Sequence, residues 1–472
     1  MVATGHPLAA QAARRMLQAG GSAVDAAIAA DAVMGVVEPM ATSIGGDLMA
    51  MLVEPDGHSW AYNGSGRASW AFDAQRLDAL GGRIPERHAL SVTTPGAVRG
   101  WADLHQRYGR CDWSLLLRPA MEAAAEGFAV APVAAREWAL FDRVLHQDPV
   151  CARLYRAGSP PVAGERYANP ELATVLQEIA DGGPQVYYQG RVAEAASRAV
   201  TAAGGCLTPE DFARHHGEFV APLQASFRGL TVLECPPNSH GVGVLRALEE
   251  MEHMPLDPQD PRTMVDVVAA VARGLDHARK TVRDPAGNTV CTVVVDADGL
   301  AVTLMSSIFK RFGSALAVPG CGFVLQNRGF GFSEPGHANG PAPGKRPFHT
   351  VVPAAALRHG RFHAGWGVVG GAMQPQGHVQ LLLRIAAWGE PVQAAIDAPR
   401  WRLEGGRTLA IEAGMPEPVQ VALRQAGYLD PGATGELGGR SDFGGAQFVR
   451  RDDQGLLWGG SDRRKDGLAI GD

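Results

Sequence analysis

The chain has little that would direct it to a membrane, a nucleic acid or a metal. Across 472 residues, 43 Lys and Arg stand against 49 Asp and Glu, a formal charge of −6, with no block of basic residues. Such a surface offers no attraction to a phosphate backbone or an anionic bilayer, so nucleic-acid and membrane-surface partners are not expected. No uninterrupted apolar stretch reaches the ~20 residues of a spanning helix. The opening MVATGHPLAAQAARRML has no basic segment ahead of an apolar core, which leads us to expect a protein of the cytoplasm. Six cysteines (Cys111, Cys151, Cys206, Cys235, Cys291, Cys321) are widely spaced and form no CxxC pair. Neither a disulfide framework nor a cysteine zinc site follows from that pattern, and the six read as buried thiols in a reducing compartment. HExxH, GxSxG and a phosphate loop are all missing, since GPAPGKR lacks both the Gly spacing and a Ser or Thr after its Lys. GWGVVG (365–370) does match GxGxxG, but no strand–helix–strand unit follows it, and Glu390 falls at a helix end where a dinucleotide site needs a strand end. No metal and no organic cofactor is expected.

What the chain does have is core. At 46% hydrophobic it can fill one large compact unit. PLAAQAARRMLQAG and AVDAAIAADAVMGVV carry apolar residues at helical spacing, the first closed by Gly20-Gly21 and the second stopped before Pro39. Both are rich in alanine and should lie close against a sheet. LMAMLVE and HSWAYNG read as a hairpin across Pro55-Asp56-Gly57, and residues 95–280 read as mostly helical. Strands return in TVVPAAALRHGRFHAGWGVVG, TLAIEAG and GGAQFVRRDDQGLLWGG, with MQPQGHVQLLLRIAAWG and PVQAAIDAPRW as helices between them. Strands at both ends of the chain and helices in the middle imply an interleaved sheet core with helices on both faces. EPGHANGPAPGKRP (334–347) is too polar for a core and reads as a surface loop near the site.

One stretch raises a question of chemistry. GNTVCTVVVDADG (287–299) is followed by LAVTLMSS, two apolar runs joined by a turn, hence a hairpin. Its first strand is apolar on both faces: Thr289, Cys291, Val293 and Val295 on one, Val290, Thr292 and Val294 on the other. A strand buried between two layers reads this way. Thr at its start is either an ordinary strand residue or a nucleophile.

Taken in order, MVATGHPLAAQAA, AVDAAIAADAVMGVVEP, IGGD, GSGRA, PGAVRGWADLHQRYG, the GN/TVCTVVVDADG hairpin, RFGS, GKRPFHTVVP, GVVGGAMQPQGHVQ and SDRRKDGLA resemble the γ-glutamyltransferase family along essentially the whole chain, and its acylase-like branch most. The resemblance implies an α+β fold, a four-layer αββα sandwich of the N-terminal nucleophile hydrolase type. It also implies a precursor that cuts itself between Asn288 and Thr289. Residues 1–288 and 289–472 would then be two segments of one interleaved domain that remain associated, with a homodimer also possible. Thr289 would be the nucleophile, using its freed α-amine as base. Gly370-Gly371 correspond to the family's oxyanion pair, Ser307 to a hydroxyl that holds the nucleophile's amine, and His349-Thr350 to a serine pair near the substrate. Arg67 corresponds to the arginine that takes the substrate α-carboxylate. The substrate class is a small amide, whose acyl group passes to water or an amine.

The sequence departs from the γ-glutamyl pattern where that family holds the α-amino group. Phe309 stands in place of an Asn, Arg328 in place of a Gln, and Gly331 in place of an Asp, while Val290 and Cys291 replace a Thr-His-like pair. Three readings stay open on the chain alone. These are γ-glutamyl transfer or hydrolysis, hydrolysis of an amide whose acyl part bears a carboxylate but no α-amine, and an uncut binding scaffold of the same fold.

Overall fold

The computed structural model describes residues 1–73, 75–282, 288–428 and 443–471, with Asn288 described through its backbone. Two antiparallel sheets stack face to face. The first has seven strands in the order Leu468–Ile470, Val2–Thr4, Asn288–Val295, Ala301–Phe309, Asp47–Val53, Ser59–Asn63, Glu218–Val220. The second has six: Leu457–Ser461, Gly445–Arg451, Arg361–Val369, Ala354–Arg358, Leu230–Glu234, Leu223–Phe227. Alternate side chains from the two sheets meet in one apolar cluster that includes Met49, Met51, Cys291, Val293, Met305 and Ala355. The opposite faces are covered by helices. Pro7–Gln18 and Ala23–Val37 bury against the first sheet, with Trp113–Glu126 packed on Ala23–Val37, and Gly241–Met251 and Met373–Leu382 against the second, with Arg262–Thr281 packed on Gly241–Met251. The result is the expected four-layer αββα sandwich. Both sheets draw strands from before and after residue 289.

The helix Ala23–Val37 shows why the first of these layers is so close-packed. Every one of its residues is buried. Its small side chains let the helix approach the sheet, and a capping box between Ser22 and Asp25 satisfies its first amides. The expected hairpin pairs as read, with Val290 and Val294 facing this helix layer and Cys291, Val293 and Val295 facing the second sheet.

Of the elements that differ from expectation, two are instructive. Leu223–Phe227 and Leu230–Glu234 form a hairpin inside the region read as mostly helical. Ala225, Phe227, Leu230 and Val232 alternate inward as strand residues should. The turn, however, is Arg228-Gly229 with φ of 50° and 77°, and Arg is not among the residues that signal such turns. Contacts distant in sequence hold it there, since Arg228 donates its amide to Glu252 Oε2 (2.6 Å) and its guanidinium to the Met254 carbonyl (2.5 Å). The second is Val2–Thr4, which is too short to show any periodicity but pairs with the strand of Thr289 through Thr4↔Thr292, their hydroxyls 2.8 Å apart.

Behind the strand Ala301–Phe309, Asp31 is fully enclosed. It accepts hydrogen bonds from Ser306 and from Trp101 Nε1 (2.8 Å). Burial raises its pKa to about 6, against the opposing effect of those two donors. Because the folded value lies above the unfolded one, the protonated carboxyl stabilises the fold at acid pH, and that contribution is lost as pH rises from about 4 through 6. Urea titrations of the wild type and Asp31→Asn are expected to diverge in pH dependence by ~2 kcal/mol between pH 4 and 7. Parallel curves would show that Asp31 does not titrate in this window.

Candidate active site

Three neighbouring strands end together at one edge of the sandwich. In register, Ser306 pairs with Val290 and Phe309 with Asn288, so Ser307 and Ile308 together oppose Thr289. This is a β-bulge, which bends a strand and re-aims its side chains. Phe309, just past it, has φ of 75° and donates its amide to Ser307 Oγ (2.9 Å). On the other side, Ser307 pairs with Asp47. Strand alternation therefore puts Thr289, Ser307 and Asp47 on the face that looks at the second sheet. All three are buried. Gly287 and the side chain of Asn288 lie outside the described residues.

The second sheet brings a turn to the same edge. Arg361–Val369 ends at Gly370 and Gly371, whose φ values of 115° and 63° favour glycine. Met373–Leu382 starts at once, with the Met373 amide donating to the Gly370 carbonyl (3.2 Å) and that of Gln374 to Gly371 (3.0 Å). No acceptor among the described residues takes the amide N–H of either glycine. Gln374 points from this turn toward the first sheet: its Nε2 donates to Thr289 Oγ1 (2.9 Å), and its Oε1 accepts from the Val352 amide (3.1 Å). A cavity of about 470 Å³ runs along the turn, bordered by Gly370, Ala372, Met373, His240, Phe348 and Leu403.

Asp47 organises a buried charged group beside Thr289. Its Oδ1 accepts from the Gly66 amide (3.0 Å) and Gln326 Nε2 (2.7 Å), and its Oδ2 from His349 Nε2 (3.1 Å). Burial alone would raise the Asp47 pKa. The His349 hydrogen bond, the Arg328 charge 3.7 Å away and Gln326 outweigh it and hold the carboxylate ionised. His349 is a neutral imidazole. Its Nδ1 accepts from the Val351 amide (3.2 Å), which leaves the proton on Nε2 for Asp47, and burial with the nearby Arg328 lowers its pKa to about 4. Arg328 has no solvent exposure, and burial lowers it to about 10, still cationic at neutral pH. Its Nη1 donates to Thr350 Oγ1 (3.1 Å) and its guanidinium carbon lies 4.4 Å from the centre of the Phe309 ring, while Nε, 3.7 Å from Asp47 Oδ2, and Nη2 have no hydrogen-bond acceptor among the described residues.

Of the side chains singled out in the sequence, Thr289, Ser307, Arg328, His349 and Thr350 fall in this region, with Gly370-Gly371 across from them. Arg67 is placed differently. Its Nη2 pairs with Glu218 (3.1 Å), which Arg346 shares (2.8 Å), and its Nη1 donates to the Gly344 carbonyl (3.3 Å). It ties the 334–347 loop to the sheet edge, and its side chain is 29% exposed. Neither Asp47 nor Gln374 was assigned a catalytic role from the sequence. Both lie in stretches that stood out there, IGGD and GGAMQPQGHVQ, but nothing in those letters tells which way an amide or a carboxylate points. Among the described residues, no group of three or more His, Cys, Asp and Glu is gathered as for a metal ion, and no helix is long and apolar enough to cross a membrane.

Comparison with known proteins agrees with this geometry. The sequence profile of Gamma-glutamyltranspeptidase matches residues 9–290 and 270–472. Over its full length the chain is 32% identical to the Glutathione hydrolase-like YwrD proenzyme of Bacillus subtilis and 31% identical to the Oxamate amidohydrolase proenzyme of Klebsiella pneumoniae, covering 98% of each. The crystal structure of cephalosporin acylase from Bacillus halodurans superposes with a TM-score of 0.92 at 32% identity, over 99% of this chain and 94% of that one. The chain belongs to the gamma-glutamyltranspeptidase family, and it is an enzyme of amide hydrolysis or acyl transfer.

Proposed function

We propose that the protein cuts itself between Asn288 and Thr289 and then hydrolyses, or transfers, an acyl group that carries a carboxylate and no α-amine. The observation that supports this most is the placing of Thr289. It is a buried hydroxyl at a strand end, opposite a bulge, hydrogen-bonded by Gln374 and faced by a glycine turn whose amides have no acceptor among the described residues. A Thr hydroxyl is a weak nucleophile without a base at hand. Cleavage supplies one, because the new α-amine has a pKa near ~8 and can take the hydroxyl proton. Ser307 would hold that amine. The Gly370 and Gly371 amides would stabilise the oxyanion as Oγ1 adds to the substrate carbonyl. The amine half leaves with the proton, and water or a second amine then releases the acyl group.

Arg328 sets the acyl preference in this reading. A buried N–H without an acceptor costs ~1–3 kcal/mol, and Arg328 has two such atoms in a fork suited to a carboxylate. Arg67, by contrast, has its two terminal nitrogens on different acceptors, Nη2 on Glu218 and Nη1 on the Gly344 carbonyl, and would act on the site through the 334–347 loop. His349 has both ring nitrogens occupied and would act through Asp47. A γ-glutamyl donor also brings an ammonium, and Phe309 and Gly331 offer it no charge. The relatives named for oxamate and cephalosporin amides fit an acyl group of this kind. Six free cysteines accord with a cytoplasmic setting.

Two outcomes test the proposal. Purified protein should run as two bands on a denaturing gel, the smaller opening Thr-Val-Cys on N-terminal sequencing, and Thr289→Ala should stay whole. A single full-length band in active protein contradicts it. The matured enzyme should show a kcat/KM for glutaryl-p-nitroanilide at least ~10-fold above that for γ-glutamyl-p-nitroanilide, the size of one uncompensated buried polar group. A preference for the γ-glutamyl compound would assign plain γ-glutamyl chemistry instead.

A further inference from the structure

We infer that Gln374 is a catalytic residue: its side-chain amide donates a hydrogen bond to the nucleophilic oxygen of Thr289 during self-cleavage and during turnover. This inference rests on the reading of Thr289 as the nucleophile.

The polarity of the contact is fixed by a backbone group. A Gln amide can in general be turned end for end, so that either its oxygen or its nitrogen faces a hydroxyl. Here Gln374 Oε1 receives the Val352 N–H at 3.1 Å, and a backbone N–H can only donate. Turning the amide would set two donors against each other in a place where Val352 and Gln374 are completely buried. The Nε2 group therefore faces Thr289 Oγ1, at 2.9 Å.

The backbone of Gln374 is equally constrained. It is the second residue of Met373–Leu382, and its amide donates to Gly371 (3.0 Å), so the same turn that carries the free glycine amides sets the position of the donor. Further along, Gln376 and Gln380 anchor the helix to the neighbouring hairpin through the Leu403 and Trp401 backbones, and His378 Nδ1 meets Glu234 (2.9 Å). The donor sits on a rigid support.

A hydroxyl that accepts from Gln374 has its own hydrogen left for a base. In self-cleavage, the O–H bond of Thr289 breaks, Oγ1 bonds to the Asn288 carbonyl carbon, and the carbon–nitrogen bond opens as the Thr289 nitrogen takes the proton. Water then hydrolyses the ester, releasing the Asn288 carboxylate and restoring the hydroxyl. In turnover, the α-amine takes the proton and returns it to the leaving amine. Negative charge develops on Oγ1 when it attacks and again when it leaves the ester. An amide N–H aimed at it stabilises both steps.

Gln374→Glu separates this role from a structural one. The carboxylate keeps the side-chain length and the acceptor for Val352, but it takes a hydrogen bond from the hydroxyl where Gln374 gives one. At neutral pH the purified variant precursor should cut at least ~100-fold more slowly than wild type, the loss typical of one such donor, while its circular dichroism spectrum shows it folded. On acidification the Glu side chain becomes protonated and can again donate to Oγ1 while accepting from Val352. Its cleavage rate should therefore rise as pH falls. Cleavage at the wild-type pace, or a slow rate that does not respond to acid, overturns the assignment of Gln374. If the wild type itself does not cut before Thr289, the nucleophile reading fails and this inference fails with it, an outcome distinct from either result on the variant.

Discussion

The rest of the site depends on how the strand Asn288–Val295 is held. It lies inside a seven-stranded sheet, paired with Val2–Thr4 on one side and Ala301–Phe309 on the other. Its side chains are buried between a helix layer and a second sheet. A cut at its N-terminal end removes one covalent bond and leaves those ladders and both apolar contacts in place. The new terminus therefore has nowhere to go, and an α-amine made there stays within reach of its own hydroxyl. The bulge opposite Thr289 adds the one irregularity the regular ladder would forbid, giving the strand end room and turning Ser307 toward it.

Charge in the neighbourhood is arranged around the same strand ends. Asp47 lies at the start of the strand next to Ser307, and it cancels the Arg328 charge while a neutral His349 supplies a hydrogen bond without adding another. The buried group is thus close to neutral overall, which a dry interior requires. Its incompleteness is local: two guanidinium nitrogens have no hydrogen-bond acceptor among the described residues. The same guanidinium lies over the Phe309 ring.

Much of the fold could be read from the residues because its elements follow strong periodic patterns. The alanine-rich helices, the hairpin after Asn288 and the late strands are where the spacing puts them. The Arg228-Gly229 hairpin was hidden because its turn is stabilised by Glu252 and Met254, which no local pattern reveals. The site was legible in part for a related reason. Thr289 and the glycine pair stood out only through the resemblance of their motifs to the γ-glutamyltransferase family, since a Thr at a strand start is otherwise an ordinary strand residue. Asp47 and Gln374 act through the direction of one oxygen or one amide, and direction is decided by partners such as His349 and Val352 hundreds or tens of residues away. Arg67 makes the same point, since only the assembled sheet edge brings Glu218 near it.

The central claim is that Thr289 Oγ1 carries the acyl group. Rapid acid quench of the matured enzyme during turnover of glutaryl-p-nitroanilide, followed by intact-mass and peptide mass spectrometry, tests it most directly. The account predicts that the segment beginning at Thr289 gains one glutaryl group, mapped as an ester to its first residue. An acyl group found on any other side chain, or full turnover with no acylated segment under quench conditions that preserve a model Thr ester, would contradict it.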